Sequence, residues 1–482
     1  MRYDRERPEM LSTRMPFIRQ PLRRLLWSAA VLVPTAGLMA GPAQAVTLRE
    51  ALATAYTSNP TLEAQRAQLR AVDENVARAN SNWRPTISGQ MSVGQSRIES
   101  VQPGSPQSSI INSDDRTYSG QINQPVFRGF ANFNARSRAE AEVEAGRAQL
   151  LQTEQQVLQE AATVFMDVVR DQAVLSLNDN QVKVLRRQLE ASQDRFRVGE
   201  ITRTDVAQSE ARLAGAISAR IQAQGTLETS RATYERVVGN YPGTLDKPAD
   251  LPELPADLDT AREMGTEMNP AILAARANEQ AAKFQVEENK GQLLPQIDLR
   301  GSVSRNVEAF GPFTQSTDRL AASAQINIPL YQGGAVSSEI RRAKQTRSQR
   351  LMQIAEANRQ VYADVRSAWE QFRAARASIE STSSQVSANE IALEGVRQEA
   401  AVGSRTTLDV LDAEQELLNS RVELVRAERD QFAAAFALLR AVGLLNAREM
   451  ELNVEYYDPT YNYRRVKWKH YGFGVTDGRA ND

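Results

Sequence analysis

Arg405, Asp409 and Asp412 stand close together in AAVGSRTTLDVLDAE (residues 400–414), a cation and two carboxylates in a long run of helix formers. Such groups can pair, accept hydrogen bonds and attract ions. Covalent and metal chemistry has little to work with here. The chain has no cysteine and one histidine, His470, so disulfides, thiolate sites, a cysteine nucleophile and a histidine-based metal centre or general base are not expected. No cofactor or metal site is expected, and no catalytic one. Thr406-x-x-Asp409 and Thr202-x-x-Asp205 are spaced as capping boxes, and an aspartate in a helix's first turn also complements the helix dipole. Asp412 has no such local use, because Gln208 holds its counterpart position. Gly199 and Gly403 supply the backbone freedom of a sharp reversal.

These residues sit in a chain that is written twice. INQPVFRGF (122–130) returns as INIPLYQGG (326–334), and VGEITRTDV (198–206) returns as VGSRTTLDV (402–410), both at an offset of 204. Val238-Gly239 returns as Val442-Gly443 at the same offset. Nearer the start the offset is 210: Asn59-Pro60 matches Asn269-Pro270, and Pro85-x-Ile87 matches Pro295-x-Ile297. Residues 46–245 form the first repeat and 246–449 the second, with a tail over 450–482.

Each copy predicts the same elements. A helix (Leu62–Asn82, then Ile272–Leu294) runs up to a proline, and period-two sequence follows, which means strands. Ile87, Met91 and Val93 share a face opposite Tyr118 and Ile122; Ile297, Leu299 and Val303 pair with Leu320, Ala322, Ala324, Ile326 and Ile328. The expected strands are 86–98, 115–126, 296–305 and 318–330, with loops over 95–115, which holds Ser105, and 306–317. Helical hairpins are expected over 130–239 and 334–445. Ala161, Val168, Leu175, Val182, Leu189 and Phe196 recur every seven residues, as do Val365, Phe372, Ile379, Val386, Leu393 and Ala400. A strict heptad implies a left-handed coiled coil, and a helix of 67 residues spans roughly 100 Å. The opening stretch is then a hairpin tip.

Arg19, Arg23 and Arg24 precede the apolar run LLWSAAVLVPTAGLMAG and the small-x-small site Ala43-Gln44-Ala45, which reads as an export signal over 1–45. Without it the chain carries 51 basic and 56 acidic residues, no footprint for nucleic acid. No later segment is apolar enough for a membrane helix, so entry into a membrane would have to be by strands. Four strands cannot close a barrel, and an open edge in lipid leaves backbone groups unpaired at several kcal/mol each. Closure requires further copies, and three would give a lumen wide enough for a pore.

The duplicated order, the junctions INQPVFRGF and INIPLYQGG, and the tips FRVGEITRTDV and AVGSRTTLDVLDAE together resemble the TolC family of outer-membrane channels over nearly all of residues 47–446. The resemblance implies a mostly α-helical fold with a β-barrel portion: a homotrimer whose twelve-stranded barrel in outer-membrane lipid continues as a coiled-coil tunnel across the periplasm. It implies an export duct for multidrug efflux, type I protein secretion or both. Its partners would be a periplasmic adaptor and an inner-membrane pump or ABC transporter. It implies further that Arg405 latches the closed entrance by tying its hairpin to Thr204 and Asp205 of the first-copy hairpin. Asp412 and Asp409 would line the mouth as acidic rings, Asp412 ahead of Asp409. The family's tyrosine before the turn is Ala400 here, so one latch bond is missing.

Pro85, Pro125, Pro295 and Pro329 stand where strands meet helices and re-aim the chain. Trp83, Phe127, Phe130 and Tyr331 gather at that level as an interfacial belt. The tail from Glu451, rich in aromatics and in Arg464, Arg465, Lys467 and Lys469, reads as a solvated segment or a strap around the tunnel's middle. The rival reading is a periplasmic or surface coiled-coil structural protein, which the paired period-two hairpins and their prolines oppose. An adaptor would carry one helical hairpin and no duplication, and an enzyme is the weakest reading.

Overall fold

The computed structural model describes residues 46–101, 103–104, 108–310 and 313–475. The expected export signal and Ser105 lie outside the described residues. The first repeat comprises α1 (Leu48–Ser58), α2 (Pro60–Ser81), β1 (Thr86–Val101), β2 (Ser108–Arg128), α3 (Ala131–Arg197) and α4 (Arg203–Val238). The second repeats the plan as α5 (Leu258–Met268), α6 (Pro270–Gly291), β3 (Gln296–Phe310), β4 (Phe313–Asn327), α7 (Ala335–Ala401) and α8 (Thr407–Val442), and α9 (Tyr461–Val466) follows.

The duplication holds at the level of single bonds. Asn59 caps α2, its Oδ1 accepting from Thr61 N at 2.9 Å, while its Nδ2 donates to Val237 O at 2.9 Å. Asn269 repeats both bonds, with Ala271 N at 2.9 Å and Ala441 O at 2.8 Å. Pro60 and Pro270 fill the first helical position, where a missing N–H leaves nothing unpaired. One dipeptide thus starts a helix and fastens it to the return helix of its own copy. The short helices α1 and α5 were not expected, although Thr47 and Glu50 make a capping box at the start of α1 and Asp257 caps α5.

The long helices α3 and α7 each span 67 residues, as the heptads require. Ala161, Val168, Val182, Val365 and Leu393 are buried along the seams, whereas Phe196 near the first tip is exposed. The main core lies at the far end of the hairpins. There Tyr56, Phe165, Tyr234 and Phe436 bring α1, α3, α4 and α8 together. A second cluster around Ile272, Val361, Val365 and Leu438 joins α5, α6, α7 and α8.

The strands form one antiparallel sheet in the order β1-β2-β3-β4. Ile87 pairs with Ile122 and Met91 with Tyr118; Ile297 pairs with Ile326 and Val303 with Leu320. Ile328 falls beyond β4. The expected loops are mostly strand: β1 reaches Val101, β2 begins at Ser108, and β3 and β4 run to Phe310 and from Phe313. Polar pairs sustain the ladder where the apolar alternation fades. Ser96 Oγ lies 2.9 Å from Ser113 Oγ, Thr117 bonds Asn306 at 2.9 Å, and Arg305 bonds Asp318 at 2.8 Å. Composition therefore pointed to loop in a region where cross-strand bonding holds a sheet.

Pro85 and Pro295 directly precede β1 and β3, and Pro329 follows β4. Pro125 departs from expectation. It lies inside β2, at a register shift between Pro125 and Phe127 that lets the ladder run on to Arg128. The bulge absorbs the missing N–H and bends the strand.

Candidate functional site at the helical tips

Each tip is built by the same local rules. Val198 and Val402 cap the C-termini of α3 and α7, and Gly199 (φ 80°) and Gly403 (φ 81°) then adopt the left-handed conformation the reversal needs. Thr202 and Thr406 start the return helices with complete capping boxes. Asp205 Oδ2 accepts from Thr202 N at 2.8 Å, and Asp409 Oδ2 accepts from Thr406 N at 2.9 Å. The Thr202 hydroxyl and backbone N–H hold the Asp205 carboxyl below its usual range; the Thr406 backbone N–H, then its hydroxyl, does the same for Asp409. Both aspartates are structural within the single chain.

Arg405 behaves differently from the expected latch. Its Nε donates to Glu399 Oε2 at 2.8 Å within its own hairpin, which raises the guanidinium pKa. Among the described residues it makes no bond to Thr204 or Asp205 of the same chain. The first tip carries a bridge of opposite polarity, Arg195 Nη2 to Glu200 Oε1 at 2.6 Å. Position 195 corresponds to 399, so arginine and glutamate have exchanged ends between the copies. Each tip is pinned by an ion pair spanning its turn.

The structure does join the two hairpins, through a partner of Asp412 that the sequence did not single out. Arg212 of α4 donates to Asp412 of α8. Deeper in the second hairpin, Arg397 bonds the buried Glu414. The offset of 204 carries the signal: Gln208 and Arg212 face Asp412 and Glu416 in the alignment of the copies, a reversal of charge inside an otherwise repeated segment.

At the opposite end, the residues of the expected belt are only partly gathered. Phe127 and Phe130 meet edge to face, ring centres 5.2 Å apart, and Trp83 O accepts from Gln124 Nε2 at 2.9 Å. Tyr331 is exposed in the segment between β4 and α7. Phe130 has φ 63°, the conformation that Gly334 adopts at the matching point of the second copy. The two copies are sewn together here, where Arg128 of β2 bonds Asp298 of β3 at 2.7 Å. The sheet carries an exposed apolar face, with Ile87 78% and Leu320 86% accessible. Among the described residues no helix is long and apolar enough to cross a membrane.

A family model described as outer membrane efflux protein matches residues 51–240 and 264–444. The chain belongs to the outer membrane efflux protein family. It is 36% identical over 457 residues to outer membrane efflux protein BepC of Brucella suis, covering 94% of this chain and 98% of that protein. It is 26% identical to outer membrane protein TolC of Escherichia coli, with 84% of each chain covered. Its fold is similar to that of the outer membrane protein VceC of Vibrio cholerae, with a TM-score of 0.70, 22% identity, and coverage of 82% and 96% of the two chains. The resemblance drawn from the tips and junctions is borne out. The family member described here is an export channel of the outer membrane.

Proposed function

We propose that three copies of the chain assemble into one conduit, a twelve-stranded barrel in the outer membrane continued by a tunnel of six helical hairpins in the periplasm. The observation that carries this reading is the four-stranded meander whose edges, β1 and β4, have no partner among the described residues of the chain. An open edge is untenable in lipid, and a closed ring of three sheets removes it. Strands of 15 to 21 residues exceed what a tilted wall requires. The apolar exposed face supplies the lipid contact.

The tips then form the periplasmic mouth. A periplasmic adaptor and an inner-membrane pump or ABC transporter complete the path, for drug efflux, type I protein secretion or both. Arg405 latches the mouth, with Thr204 and Asp205 of a neighbouring hairpin as acceptors, and Asp412 and Asp409 colour its field. The duct conducts and gates rather than catalysing. The purified chain is expected to run as a trimer in detergent and to form channels in planar bilayers. Single cysteines, free of background, label from outside the cell at Ser105 and not at Gly199 or Gly403. A monomer without conductance, or the reverse labelling pattern, overturns the reading.

A further inference from the structure

We infer that the C-terminal segment over residues 460–475 is a lipid-facing clamp, which binds the anionic phospholipid headgroups at the periplasmic surface of the outer membrane. The segment does not circle the middle of the hairpins. It runs lengthwise along α2, from the main core to the foot of the sheet. At the core end the Arg66 guanidinium lies between Tyr56 and Tyr457, 4.6 and 5.1 Å from the ring centres. Next, Asn462 Nδ2 donates to the buried Asp73 at 2.9 Å, and Tyr463 OH to Glu140 at 3.2 Å. Asn80 Nδ2 then holds Lys467 O at 2.7 Å, and Arg84 Nη1 holds Lys469 O at 2.8 Å. From Arg66 to Arg84 this path is roughly 25 Å at helical rise. Arg84 stands two residues before the first residue of β1, so the tail is fixed at the level where the sheet begins.

What it carries to that level is suited to a bilayer surface. Residues 461–475 hold no acidic residue; Arg464 turns back to pair with Asp458, which leaves Arg465, Lys467 and Lys469 as the cations of the segment. Trp468 packs one face against the Arg136 guanidinium, 5.2 Å from the ring centre, yet remains half exposed. Tyr471 and Phe473 are 93% and fully exposed. A soluble strap has no use for unpacked tyrosine and phenylalanine at its end. Aromatic rings and basic side chains together are the chemistry of the headgroup region, where rings sit amphipathically and cations are drawn to an anionic surface. Phe127 and Phe130 lie on the same junction, so the clamp extends an aromatic rim already present. Each protomer would thereby tie its α2 to the membrane independently of barrel closure.

The inference rests on the barrel spanning the outer membrane, and vesicle flotation reports that separately. The test uses the full chain with Gly474→Cys, a position with open space around it, labelled with a polarity-sensitive fluorophore. The protein is reconstituted into vesicles of phosphatidylcholine alone or with one-third phosphatidylglycerol. The expected result is a blue shift, and at least twofold stronger quenching by spin-labelled lipid when phosphatidylglycerol is present, both reduced in high salt. Arg465→Glu with Lys467→Glu, and separately Tyr471→Ser with Phe473→Ser, should abolish the difference while flotation is unchanged. Emission that is the same in both lipids and in detergent, with the label open to an aqueous quencher, overturns the inference. Disulfide formation between unlabelled Gly474→Cys chains on addition of an oxidant, regardless of lipid, overturns it equally.

Discussion

Arg212 of α4 reaches across to Asp412 of α8, the side-chain ion pair that links the return helices of the two repeats near their tips. The pair exists because the copies have diverged in charge at two positions one helical turn apart. Gln208 and Arg212 stand in one copy where Asp412 and Glu416 stand in the other. Both partners are substantially exposed, so the coupling is modest, about 0.2–1 kcal/mol. A thermal-unfolding double-mutant cycle of Arg212→Ala and Asp412→Ala should return a value in that range and shrink in high salt. Additive effects would mean that the two hairpins hold together without it.

If the tips form the proposed mouth, the same pair sets how acidic it is. Arg212 sits on the carboxylate proposed for the acidic ring, so removing it should expose charge and removing Asp412 should delete it. In planar bilayers Arg212→Ala is expected to strengthen block by trivalent cations, and Asp412→Ala to weaken it. Asp409→Asn should change block less, because that carboxylate is already occupied by Thr406. Equal block in wild type and Asp412→Ala would place the ring elsewhere.

The capping aspartates make the tips sensitive to acid. Both Asp205 and Asp409 have folded-state pKa values held below the usual range by their threonine bonds. A depressed carboxylate contributes stability that is full above its unfolded pKa and lost as pH falls through the folded value. Amide hydrogen exchange at the start of α4 and α8 should therefore stay slow at neutral pH and accelerate below about pH 4, relative to the intrinsic rate. In the Asp205→Asn and Asp409→Asn chains that acid step should disappear.

Much of this was legible in the sequence, for identifiable reasons. The duplication was readable because glycine, proline and asparagine do backbone tasks that substitution cannot mimic: Asn59 and Asn269 cap and fasten in one bond pattern, and Gly199 and Gly403 share a φ. Strand pairing followed from Ile87 and Met91 meeting Ile122 and Tyr118. Strand length did not, because Ser96, Ser113 and Thr117 bond across the sheet without leaving an apolar period. The tip pairs were hidden for another reason. Glu399 and Arg405 lie on opposite sides of a turn, and Arg212 and Asp412 lie 200 positions apart, so neither pairing has a helical spacing.

Phe130 offers a test of strain at the barrel junction. A non-glycine residue at φ 63° costs about 1–2 kcal/mol, and Gly334 meets the same turn without that cost. Phe130→Gly should therefore raise the unfolding midpoint of the helical portion in detergent. It should also lose the Phe127 contact and, if the ring serves the membrane rim, lower the yield of inserted protein. A variant both less stable and normally inserted would show that packing, not the membrane, retains the phenylalanine.

Arg405 can serve Glu399 and a neighbour together only through different edges of its planar guanidinium. In the single chain Glu399 holds its Nε, which leaves the other edge of the fork for Thr204 or Asp205 of an adjacent hairpin. Glu399 then either aims the arginine or draws it away, and two substitutions separate these roles. Arg405→Ser should raise single-channel conductance and admit large antibiotics in cells, with normal trimer yield, because the latch is gone in either case. Glu399→Gln keeps the side-chain shape and removes the competing charge. If Glu399 competes, this variant should close more tightly and conduct less than wild type. If it aims the arginine, the variant should open part-way towards Arg405→Ser. The family's tyrosine is Ala400 here, so little else at this turn can compensate, and the Arg405→Ser effect should be large. Conductance unchanged in Arg405→Ser, with normal assembly, would move the gate away from the second tip.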